Sequence, residues 1–523
     1  MTKFIFMTGG VVSGIGKGIS AASVGRLLKD RGFSVFMQKF DPYLNVYPGL
    51  LNPIQHGEVF VTKDGGETDL DLGHYERFID EELTKDSSIT SGKIYNAVFQ
   101  KEKRGEFKGN TVQVIPHVTD EIKAKVYKVA EETNADVIIT EIGGTVGDIE
   151  SLPFIEAIRQ IYSENNKEDV LFMHTTLVPT VPGSSELKTK PTQHSYKQLM
   201  SYGIKPNVFV LRSDEYITDG IKEKISLFCD IPKEAIVQSE NVDLIYEVPV
   251  SLKKQGIDEY IIKVLNLDVK KDDFNEWEEM VERFKNLKHS IDLAMVGKYV
   301  QLEDSYLSVN QALLDAGYNQ STKVNIHFID SEELTEDNLD EKLSFADGIV
   351  VPTGSGASGI SGKLLACEYA RVKDIPYLGV CLGMQVLALE AGKNLLKLED
   401  SNSKEFDENC KNPILIKNPT EDRRLGNGNI KIEKDTMAYE IYEKEDIVER
   451  HKHIYEFNND YKEVFEANNI RLSAVNADEG YVEIMEYTKN KFHVGTLYHP
   501  QYKSRPNRPH ALFMKFIEKA LEN

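Results

Sequence analysis

Residues 8–18 read Thr-Gly-Gly-Val-Val-Ser-Gly-Ile-Gly-Lys-Gly, and this stretch decides the fold of the amino-terminal part of the chain. It follows the apolar run 4–7 and precedes a segment of helical character that we expect to begin near Ile19. A strand, a glycine-rich turn and a helix start surround a phosphate with backbone N–H groups and the positive end of a helix dipole. Lys17 stands where an ammonium group reaches terminal phosphates. The stretch therefore predicts a nucleoside triphosphate site.

One position departs from the usual phosphate loop, because Gly18 stands where a Ser or Thr normally binds magnesium. Metal ligands are then expected to come from carboxylates elsewhere in the chain. A plain glycine turn between a strand and a helix would explain one or two of these glycines, but not five together with a lysine at the helix start. Phosphate binding is therefore the stronger interpretation.

The composition, with 41% hydrophobic and 28% charged residues, is that of an ordinary globular protein. At about 150 residues per domain, 523 residues predict two to four domains. No segment resembles a signal peptide, and no apolar run approaches the roughly 18 residues that cross a membrane, so we expect a cytoplasmic protein. The net charge of −22 argues against broad nucleic-acid binding, which requires a basic surface.

The cysteine content points away from a disulfide framework or a zinc cluster. The four cysteines are Cys229, Cys367, Cys381 and Cys410. They are too few and too scattered for either arrangement, and we expect a reactive thiol among them.

Strand-like apolar runs recur through the first half of the chain, each followed by a loop and a helix-like stretch. They cover residues 3–7, 34–39, 136–142, 171–177 and 207–212. Strands that alternate with helices predict a parallel sheet with helices on both faces. Such sheets bind ligands at the carboxyl ends of their strands.

A charged stretch at 268–273 and an amphipathic helix predicted around 277–287 separate this block from a second series of strands. That series covers residues 291–296, 324–329, 348–351 and 377–380. We therefore predict a first domain over 1–266, a linker over 267–290 and a second α/β domain over 291–523. The acidic segment 330–341 is interpreted as a solvated helix face.

Charged side chains of both signs follow the predicted strands. Glu141 ends an apolar run, and Asp69 and Asp71 are expected on one side of an extended segment. Asp71 and Glu141 are candidates to replace the magnesium ligand missing at Gly18, although either alone would more often be a helix cap or a solvated acid. A basic set, residues 188–193 with Lys39 and Lys224, is a candidate for a second polyphosphate site. A single lysine of this kind is usually surface decoration.

Five runs across residues 1–265 resemble the amidoligase domain of CTP synthases. They are KFDPYLNV at 39–46, IQHGEVFV at 54–61, ETDLDLGHYERF at 67–78, EIGGTVGDIES at 141–151 and KTKPTQHS at 188–195. The resemblance implies a P-loop-type parallel-sheet domain that uses ATP to phosphorylate O4 of UTP, after which ammonia displaces the phosphate to give CTP. Phosphoryl transfer requires mainly positioning and charge neutralisation, which the quoted residues can supply.

The same resemblance implies which residues bind each ligand. For ATP they are Ser13, Gly14, Ile15, Gly16, Lys17, Gly18, Lys39 and Asp71. For magnesium they are Asp71 and Glu141. For UTP and CTP they are Ser13, Asp148, Ile149, Glu150, Lys188, Thr189, Lys190, Pro191, Thr192, Gln193 and Lys224, of which Asp148 to Glu150 serve feedback inhibition by CTP.

In the second domain, Gly379-Val380-Cys381-Leu382-Gly383 follows a predicted strand and precedes a helix. A turn of this kind exposes a nucleophile at a helix N-terminus, which lowers a thiol pKa. His499 lies far downstream, as the general base for a cysteine can. A buried structural cysteine is the ordinary alternative.

Residues 291–523 resemble the α/β fold of class I glutamine amidotransferases. This resemblance implies Cys381 as nucleophile, His499 as base, and Gly354, Gln385 and Glu405 as glutamine-binding residues.

Departures from the amidotransferase pattern cluster in one predicted pocket. Gln501 replaces the glutamate that orients the histidine, and Ile454 replaces an arginine that binds the substrate α-carboxylate. Ser355 and Ser358 stand where the family has Phe and Arg. We therefore expect low glutamine-dependent activity relative to ammonia-dependent activity, and weak activation by GTP.

The leading interpretation is a CTP synthase that uses ATP, Mg²⁺, UTP and nitrogen from glutamine or ammonia. The resemblance alone implies CTP as feedback inhibitor, GTP as effector, and a homotetramer that can form filaments. Alternatives are the same synthetase with a degenerate, ammonia-dependent glutaminase domain, a filament-forming or regulatory paralogue, and an amidoligase acting on a carboxylate, as in dethiobiotin or cobyrinate synthesis. The UTP-type runs argue against the last, and the complete ATP, magnesium and UTP set argues against a scaffold.

Overall fold

The structure, a computed structural model, describes residues 2–522 except 53–55, 182, 184–185, 272, 299 and 420–422. Ile54 and Gln55 of the run 54–61, and Asp272 of the predicted linker, thus lie outside the described residues. The chain divides into two compact units. The first comprises residues 1–48 and 74–281, and the second comprises residues 49–73 and 282–523.

The strands are numbered in chain order. They are β1 Lys3–Gly9, β2 Val35–Asp41, β3 Phe60–Val61, β4 Glu67–Thr68, β5 Ser88–Thr90, β6 Val137–Ile142, β7 Val170–Leu177, β8 Val208–Arg212, β9 Ile236–Gln238, β10 His289–Gly297, β11 Thr322–Asp330, β12 Gly348–Val351, β13 Tyr377–Val380, β14 Ser401–Ser403, β15 Asn412–Lys417, β16 Arg424–Ile432, β17 Asp446–His453, β18 Tyr455–Phe457, β19 Ile470–Asn476, β20 Val482–Tyr487 and β21 His493–Thr496.

The α-helices are named by their bounds. They are Lys17–Asp30, Asp71–Ile79, Ser91–Lys103, Thr119–Thr133, Leu152–Glu164, Lys190–Ser201, Asp219–Cys229, Glu247–Lys254, Ile257–Val264, Asn275–Lys285, Leu307–Asn319, Leu339–Leu343, Ile360–Lys373, Leu382–Glu390, Met437–Tyr442, Lys462–Glu466 and Ala511–Leu521.

The first unit is built on a parallel sheet, which confirms the predicted fold class. Its strand order within the described residues is β5-β2-β6-β1-β7-β8-β9, and every neighbouring pair is parallel. The central strand β6 is buried along its whole length, as a strand covered by helices on both faces must be. The carboxyl ends of β1, β2, β6 and β7 therefore lie together at one edge, where ligands bind in such sheets.

The second unit contains a mixed sheet of strand order β11-β10-β12-β13-β21-β20-β19-β16-β17 among the described residues. The strands from β11 to β21 are parallel, and the remaining pairs are antiparallel. Side chains alternate between two apolar cores along β10, since Leu293 and Met295 pack into one core and Ala294 and Val296 into the other.

The turn between β13 and the helix Leu382–Glu390 carries Cys381 in a strained conformation. Cys381 has φ 54° and ψ −99°, which places a non-glycine residue at positive φ. A glycine is required at 383, because a Cβ there would lie 2.1 Å from the carbonyl oxygen of Val351. The close approach of these two backbones fixes the position of the cysteine relative to β12.

Three local expectations were wrong. The helix after the phosphate loop begins at Lys17, not near Ile19, because Gly16 adopts a left-handed φ of 77° and closes the loop there. Asp69 and Asp71 do not share an extended segment, because Asp71 begins the helix Asp71–Ile79. Segment 330–341 is no continuous helix face, because turns occupy most of it and only its end joins the helix Leu339–Leu343.

The helix Asn275–Lys285 lies within the segment predicted as a linker. Its Trp277 is buried and donates a hydrogen bond from Nε1 to the carbonyl oxygen of Tyr246 at 2.9 Å. The segment is therefore ordered by packing at Trp277. Among the described residues, no helix combines the length and the apolar character that crossing a membrane requires.

The close approach at Gly383 generates a stability prediction. Gly383→Ala forces the added methyl into the Val351 carbonyl, and overpacking of this kind costs about 2 kcal/mol or more. We expect a fall of roughly 4–8 °C in the unfolding temperature of the second unit, measured by scanning calorimetry. The control is Gly220→Ala, in a helix where a Cβ meets no atom within 4 Å. An unchanged transition in Gly383→Ala would contradict this account of the turn.

Candidate active sites

In the first unit, Lys17 begins the helix that follows β1 and the glycine-rich loop. Its side chain folds back over the loop, so that a Cβ on Gly9 would lie 2.5 Å from Lys17 Cδ. Its ammonium donates a hydrogen bond to the carbonyl oxygen of Gly144 at 2.5 Å. Lys17 is buried, which strengthens its electrostatic interaction with any anion in the loop. The Lys17 ammonium can bind a terminal phosphate if it exchanges its hydrogen bond to the neutral Gly144 carbonyl for one to a charged phosphate oxygen.

Three charged side chains lie on one face of the sheet beside this loop. Lys39 and Glu141 are register partners on β2 and β6, and Asp41 follows Lys39 by two positions on β2. Lys39 Nζ lies 3.6 Å from Asp41 Oδ1, and all three residues are buried. Glu141 accepts a hydrogen bond from the hydroxyl of Tyr75. This cluster places carboxylate oxygens and a cation at the carboxyl edge of the sheet.

Asp71 is the first residue of the helix Asp71–Ile79, which also carries Tyr75 one turn later. Its backbone N–H donates to Oδ1 of Asp69 at 3.1 Å. Among the described residues, no group of three or more His, Cys, Asp or Glu side chains could hold a metal ion by itself.

Residues predicted for the uridine nucleotide fall on and before the helix Lys190–Ser201. Gln193 Nε2 donates to Thr189 Oγ1 at 3.0 Å, and the buried Thr192 hydroxyl donates to the Leu177 carbonyl at 3.1 Å. Pro191 occupies the first turn. The Lys190 ammonium lies 5.7 Å from the centre of the Phe228 ring, a cation–π distance.

The half-buried Lys188 and the exposed Lys224 both lower the pKa of one carboxylate. Lys188 Nζ lies 2.6 Å from Glu186 Oε2, and it holds the pKa of Glu186 below its ordinary value with a smaller contribution from Lys224. The structure therefore brings these two predicted lysines near the same anion.

The predicted CTP segment follows the loop after β6. Asp148 Oδ2 accepts a hydrogen bond from the N–H of Thr145 at 2.9 Å, which fixes the turn. Ile149 and Glu150 are exposed, with Ile149 82% exposed. Ser13 is also exposed, on the glycine-rich loop.

A buried histidine that the sequence did not single out lies within β7. His174 Nδ1 is 2.8 Å from Thr8 Oγ1, and its Nε2 is 2.8 Å from Ser195 Oγ. Burial, with the nearby Lys17, lowers the pKa of His174 to about 3. His174 is therefore neutral and joins β1, β7 and the helix Lys190–Ser201. A histidine inside an otherwise apolar strand run was the available signal.

In the second unit, Cys381 directly follows β13 and lies near the carbonyl oxygen of Lys452, at 3.9 Å from Sγ. We predicted that the helix N-terminus would lower the thiol pKa, and this was wrong. Burial raises the pKa of Cys381 to about 12, while the Leu382 N–H lowers it only in part. The thiol is therefore protonated in this structure and needs a base to become a nucleophile.

His499 is fully buried, and its two ring nitrogens face different partners. Nδ1 lies 2.9 Å from the side-chain nitrogen of Gln501, and Nε2 lies 3.3 Å from the Lys452 carbonyl oxygen. An amide N–H facing Nδ1 and a carbonyl facing Nε2 are both satisfied when the imidazole proton is on Nε2. Burial, with the charge of Lys452, holds the pKa of His499 well below its ordinary value.

The side chain of Gln501 decides which nitrogen of His499 can act as a base. Its Oε1 is buried and has no hydrogen-bond partner among the residues that the structure describes. If the amide turns over, Oε1 accepts the proton of Nδ1, and Nε2 is then free to take a proton from Cys381. A glutamate at this position would hold the second state without any rotation.

A cavity of about 360 Å³ opens beside the thiol. The predicted residues Cys381, Gly354, Gln385 and Glu405 all line it, so the structure brings them together. Glu405 Oε1 accepts the N–H of Gly356 at 2.7 Å, and Gln385 Nε2 donates to the Tyr455 carbonyl at 3.3 Å.

A short loop approaches the cysteine turn beside this cavity. Gly354 lies against Leu382, since a Cβ on Gly354 would be 2.9 Å from Leu382 Cδ2. The backbone N–H groups of Gly354 and Leu382 are therefore candidates to stabilise an oxyanion.

The residues that depart from the amidotransferase pattern at 355, 358 and 454 do not all face the cavity. Ile454 and Ser355 line the cavity, and the Ser358 hydroxyl donates a hydrogen bond to Glu332. Neither serine supplies a ring for stacking or a cation.

Sequence reasoning missed the part of this site that residues 49–73 supply. The carbonyl oxygen of Val59 accepts hydrogen bonds from Lys452 Nζ at 2.9 Å and from the Tyr502 hydroxyl at 3.1 Å. Arg423 pairs with Glu67 through two nitrogens, at 2.7 and 3.1 Å. These contacts join segments hundreds of positions apart, so local sequence patterns carried no signal for them.

Comparisons with known proteins match both parts of the chain. A family described as the CTP synthase N-terminus matches residues 3–267, and the class-I glutamine amidotransferase family matches residues 301–519. A CTP synthase from Caldanaerobacter subterraneus subsp. tengcongensis is 52% identical over 529 residues, covering 100% of this chain and 98% of the relative. CTP synthases from Carboxydothermus hydrogenoformans and Bacillus subtilis are 53% and 51% identical over 530 residues, and each alignment covers 100% of this chain and 99% of the relative.

The raised pKa of Cys381 predicts its reactivity. With a pKa near 12, the thiolate fraction rises about tenfold for each pH unit between 7 and 9, whereas an ordinary thiol levels off near 8.5. We expect the rate of iodoacetamide labelling of the Cys381 peptide, followed by mass spectrometry, to rise in that way. The same peptide in urea-unfolded protein is the control and should level off. A plateau near pH 8.5 in the folded protein would contradict the burial argument.

Proposed function

We propose that this chain, which belongs to the CTP synthase family, forms CTP from UTP, with ATP as the energy source and glutamine or ammonia as the nitrogen donor. The observation that carries the proposal is the presence, in one chain, of a phosphate loop at the carboxyl edge of a parallel sheet and a cysteine turn of the amidotransferase type. The full-length identity to enzymes named CTP synthase supports it. The proposed domains are residues 1–266 and 291–523, joined by 267–290.

The ATP phosphates are proposed to bind on the loop from Ser13 to Gly18 and on Lys39. The loop offers backbone N–H groups at the start of a helix, and Lys17 leaves the Gly144 carbonyl to contact the terminal phosphate. Lys39 adds a second cation from β2, which is separated from β1 by β6. Positioned cations of this kind stabilise the charge that spreads over the transferred phosphoryl group.

The chemistry of the carboxylates fits magnesium, with Asp71 and Glu141 as the proposed ligands. Magnesium in nucleotide sites is held by one or two carboxylates together with phosphate oxygens and water. The described residues offer single carboxylates rather than a closed cluster, which suits that donor set. When bound, the ion would neutralise phosphate charge during transfer. Tyr75 holds the Glu141 carboxylate by its hydroxyl.

The uridine nucleotide is proposed to contact Ser13, the segment from Lys188 to Gln193, and Lys224. Lys188 pairs with the Glu186 carboxylate, on which Lys224 also acts electrostatically, and a polyphosphate could take the place of that carboxylate. Asp148 to Glu150 are proposed to serve CTP feedback. GTP as an effector and a homotetramer complete the proposal and rest on family membership.

For glutamine, we propose that the sulfur of Cys381 attacks the side-chain amide carbon while Nε2 of His499 accepts the thiol proton. The backbone N–H groups of Gly354 and Leu382 bind the oxyanion, and ammonia leaves with a proton returned by His499. Water then cleaves the thioester to give glutamate. Gln501 must present its oxygen to Nδ1 during these steps, so we expect glutamine to be used more slowly than added ammonia.

The full-length matches to CTP synthases do not favour the alternatives considered above. Each alternative predicts that no CTP forms with at least one of the two nitrogen donors, glutamine or ammonium chloride. The alternatives are a degenerate glutaminase domain, a regulatory paralogue and a carboxylate-specific amidoligase. The direct test is CTP formation by the purified protein from UTP and ATP, with glutamine or with ammonium chloride in separate reactions. Absence of CTP in both reactions would overturn the proposal.

Lys17 provides a mutational test of the nucleotide site. Lys17→Ala removes the positioned cation and is expected to lower CTP formation at least a hundredfold with either nitrogen source. The matched control is Lys29→Ala, in the last turn of the same helix, where the lysine pairs with Glu81 at 2.6 Å. Activity of Lys17→Ala within tenfold of the wild type, in a folded protein, would sink the assignment of the glycine loop to ATP.

Glu141 provides a test of the metal site. Glu141→Gln keeps the shape of the side chain and removes an anionic ligand, so the magnesium concentration for half-maximal CTP formation should rise several-fold. Glu121→Gln is the control, since Glu121 is an equally buried carboxylate that pairs with Lys101 at 2.5 Å. The assignment fails if the magnesium dependence of Glu141→Gln matches that of the wild type.

A further inference from the structure

The cavity beside Cys381 must bind an amino acid with two charged groups if the proposed function holds. Glutamine carries an α-ammonium group and an α-carboxylate besides its amide. A carboxylate that leaves water requires a cation or several N–H donors in the protein. Ile454, which lines the cavity, can supply neither from its side chain.

Lys452 and Arg423 are the strongly basic residues among the described residues that line this cavity. One is paired with a carboxylate and the other with a neutral carbonyl. Arg423 already shares both terminal nitrogens with the Glu67 carboxylate, at 2.7 and 3.1 Å. Its charge is therefore compensated by an anion. Release of Arg423 toward a ligand would leave Glu67 without its partner.

Lys452 is bound instead to a neutral group. Its ammonium donates to the Val59 carbonyl at 2.9 Å, and within the described part of the chain it forms no ion pair with a carboxylate. An ammonium has three N–H donors, so two remain for a ligand. Burial lowers the pKa of Lys452, while the more distant Glu67 and Glu58 oppose this shift, and a bound anion would oppose it further.

Lys452 and Ile454 line the same cavity and are separated by one position. β17 ends at His453, and the chain bends at Ile454. Two positions of chain span at most about 7 Å. The flexible four-carbon stem of lysine can cover a displacement of that size.

We propose that Lys452 holds the α-carboxylate of the amino-acid substrate through the two N–H groups that the Val59 carbonyl leaves free. Lys452 thus binds substrate directly, in place of an arginine at position 454. Since residue 59 belongs to the segment 49–73, this segment positions the ammonium. The inference rests on the proposed function and names the group that recognises the substrate.

The test is binding of two ligands to the full chain carrying Cys381→Ala, which blocks turnover. The ligands are L-glutamine and L-glutamine α-amide, which lacks the carboxylate charge, and the method is titration calorimetry. Lys452→Met should weaken L-glutamine binding roughly ten- to hundredfold and the α-amide less than threefold. Lys452→Arg, which keeps a cation, should bind L-glutamine within about fivefold of the parent.

The matched control is Lys462→Met. Lys462 also donates to a backbone carbonyl, that of Gly480 at 2.9 Å, and burial also lowers its pKa, but it does not line the cavity. This variant should leave both affinities unchanged. Retained α-amide binding in Lys452→Met shows that the cavity is still folded.

Three results for the variants would overturn the inference. They are equal weakening of both ligands in Lys452→Met, unchanged L-glutamine binding in that variant, and the expected selective loss appearing in Arg423→Met instead. Absence of L-glutamine binding in the parent would also overturn it. Failure of the proposed function is separable, because it would appear as absence of CTP in both the glutamine and the ammonium chloride assays, whatever the calorimetry shows.

Discussion

In each unit, the side chains assigned to the site lie at or near the carboxyl ends of neighbouring parallel strands. Each site therefore depends on the carboxyl edge of its own sheet. Lys17 follows β1, Glu141 lies near the end of β6, and His174 lies on β7. In the second unit Cys381 follows β13 and His499 follows β21, the strand beside it. Parallel strands end at one edge of a sheet, so residues far apart in the chain meet there. The register of the strands therefore sets the geometry of the chemistry.

Within the second unit, Lys452 contacts Cys381, His499 and the segment 49–73. Its carbonyl oxygen faces both the thiol of Cys381 and Nε2 of His499, and its ammonium reaches the Val59 carbonyl. One residue thereby touches the proposed nucleophile, the proposed base and the segment 49–73. The low polarity that raises the pKa of Cys381 and lowers that of His499 keeps both groups neutral until a substrate arrives.

The sequence was sufficient for the glycine-rich loop between β1 and the helix Lys17–Asp30, the cysteine turn and the parallel sheets, because each depends on local patterns. Glycines, apolar runs and the strand-to-helix order are readable without tertiary information. The sequence was insufficient where burial sets a pKa or where long-range packing sets which residues line a cavity. The pKa of Cys381 was predicted with the wrong sign because a helix dipole is visible in sequence and burial is not. The positive charge of Lys452 at the cavity was overlooked, because a motif comparison at position 454 does not show which other residues line the same cavity.

The central claim is that the cysteine site of this chain delivers glutamine nitrogen to UTP. The most direct measurement supplies glutamine labelled with ¹⁵N at the side-chain amide, together with unlabelled ammonium, UTP, ATP and magnesium, and follows ¹⁵N at the 4-amino group of CTP by mass spectrometry. The account predicts labelled CTP from the wild-type protein, formed more slowly than unlabelled CTP, and only unlabelled CTP from Cys381→Ala. CTP without label from the wild type, or label that persists in Cys381→Ala, would contradict it.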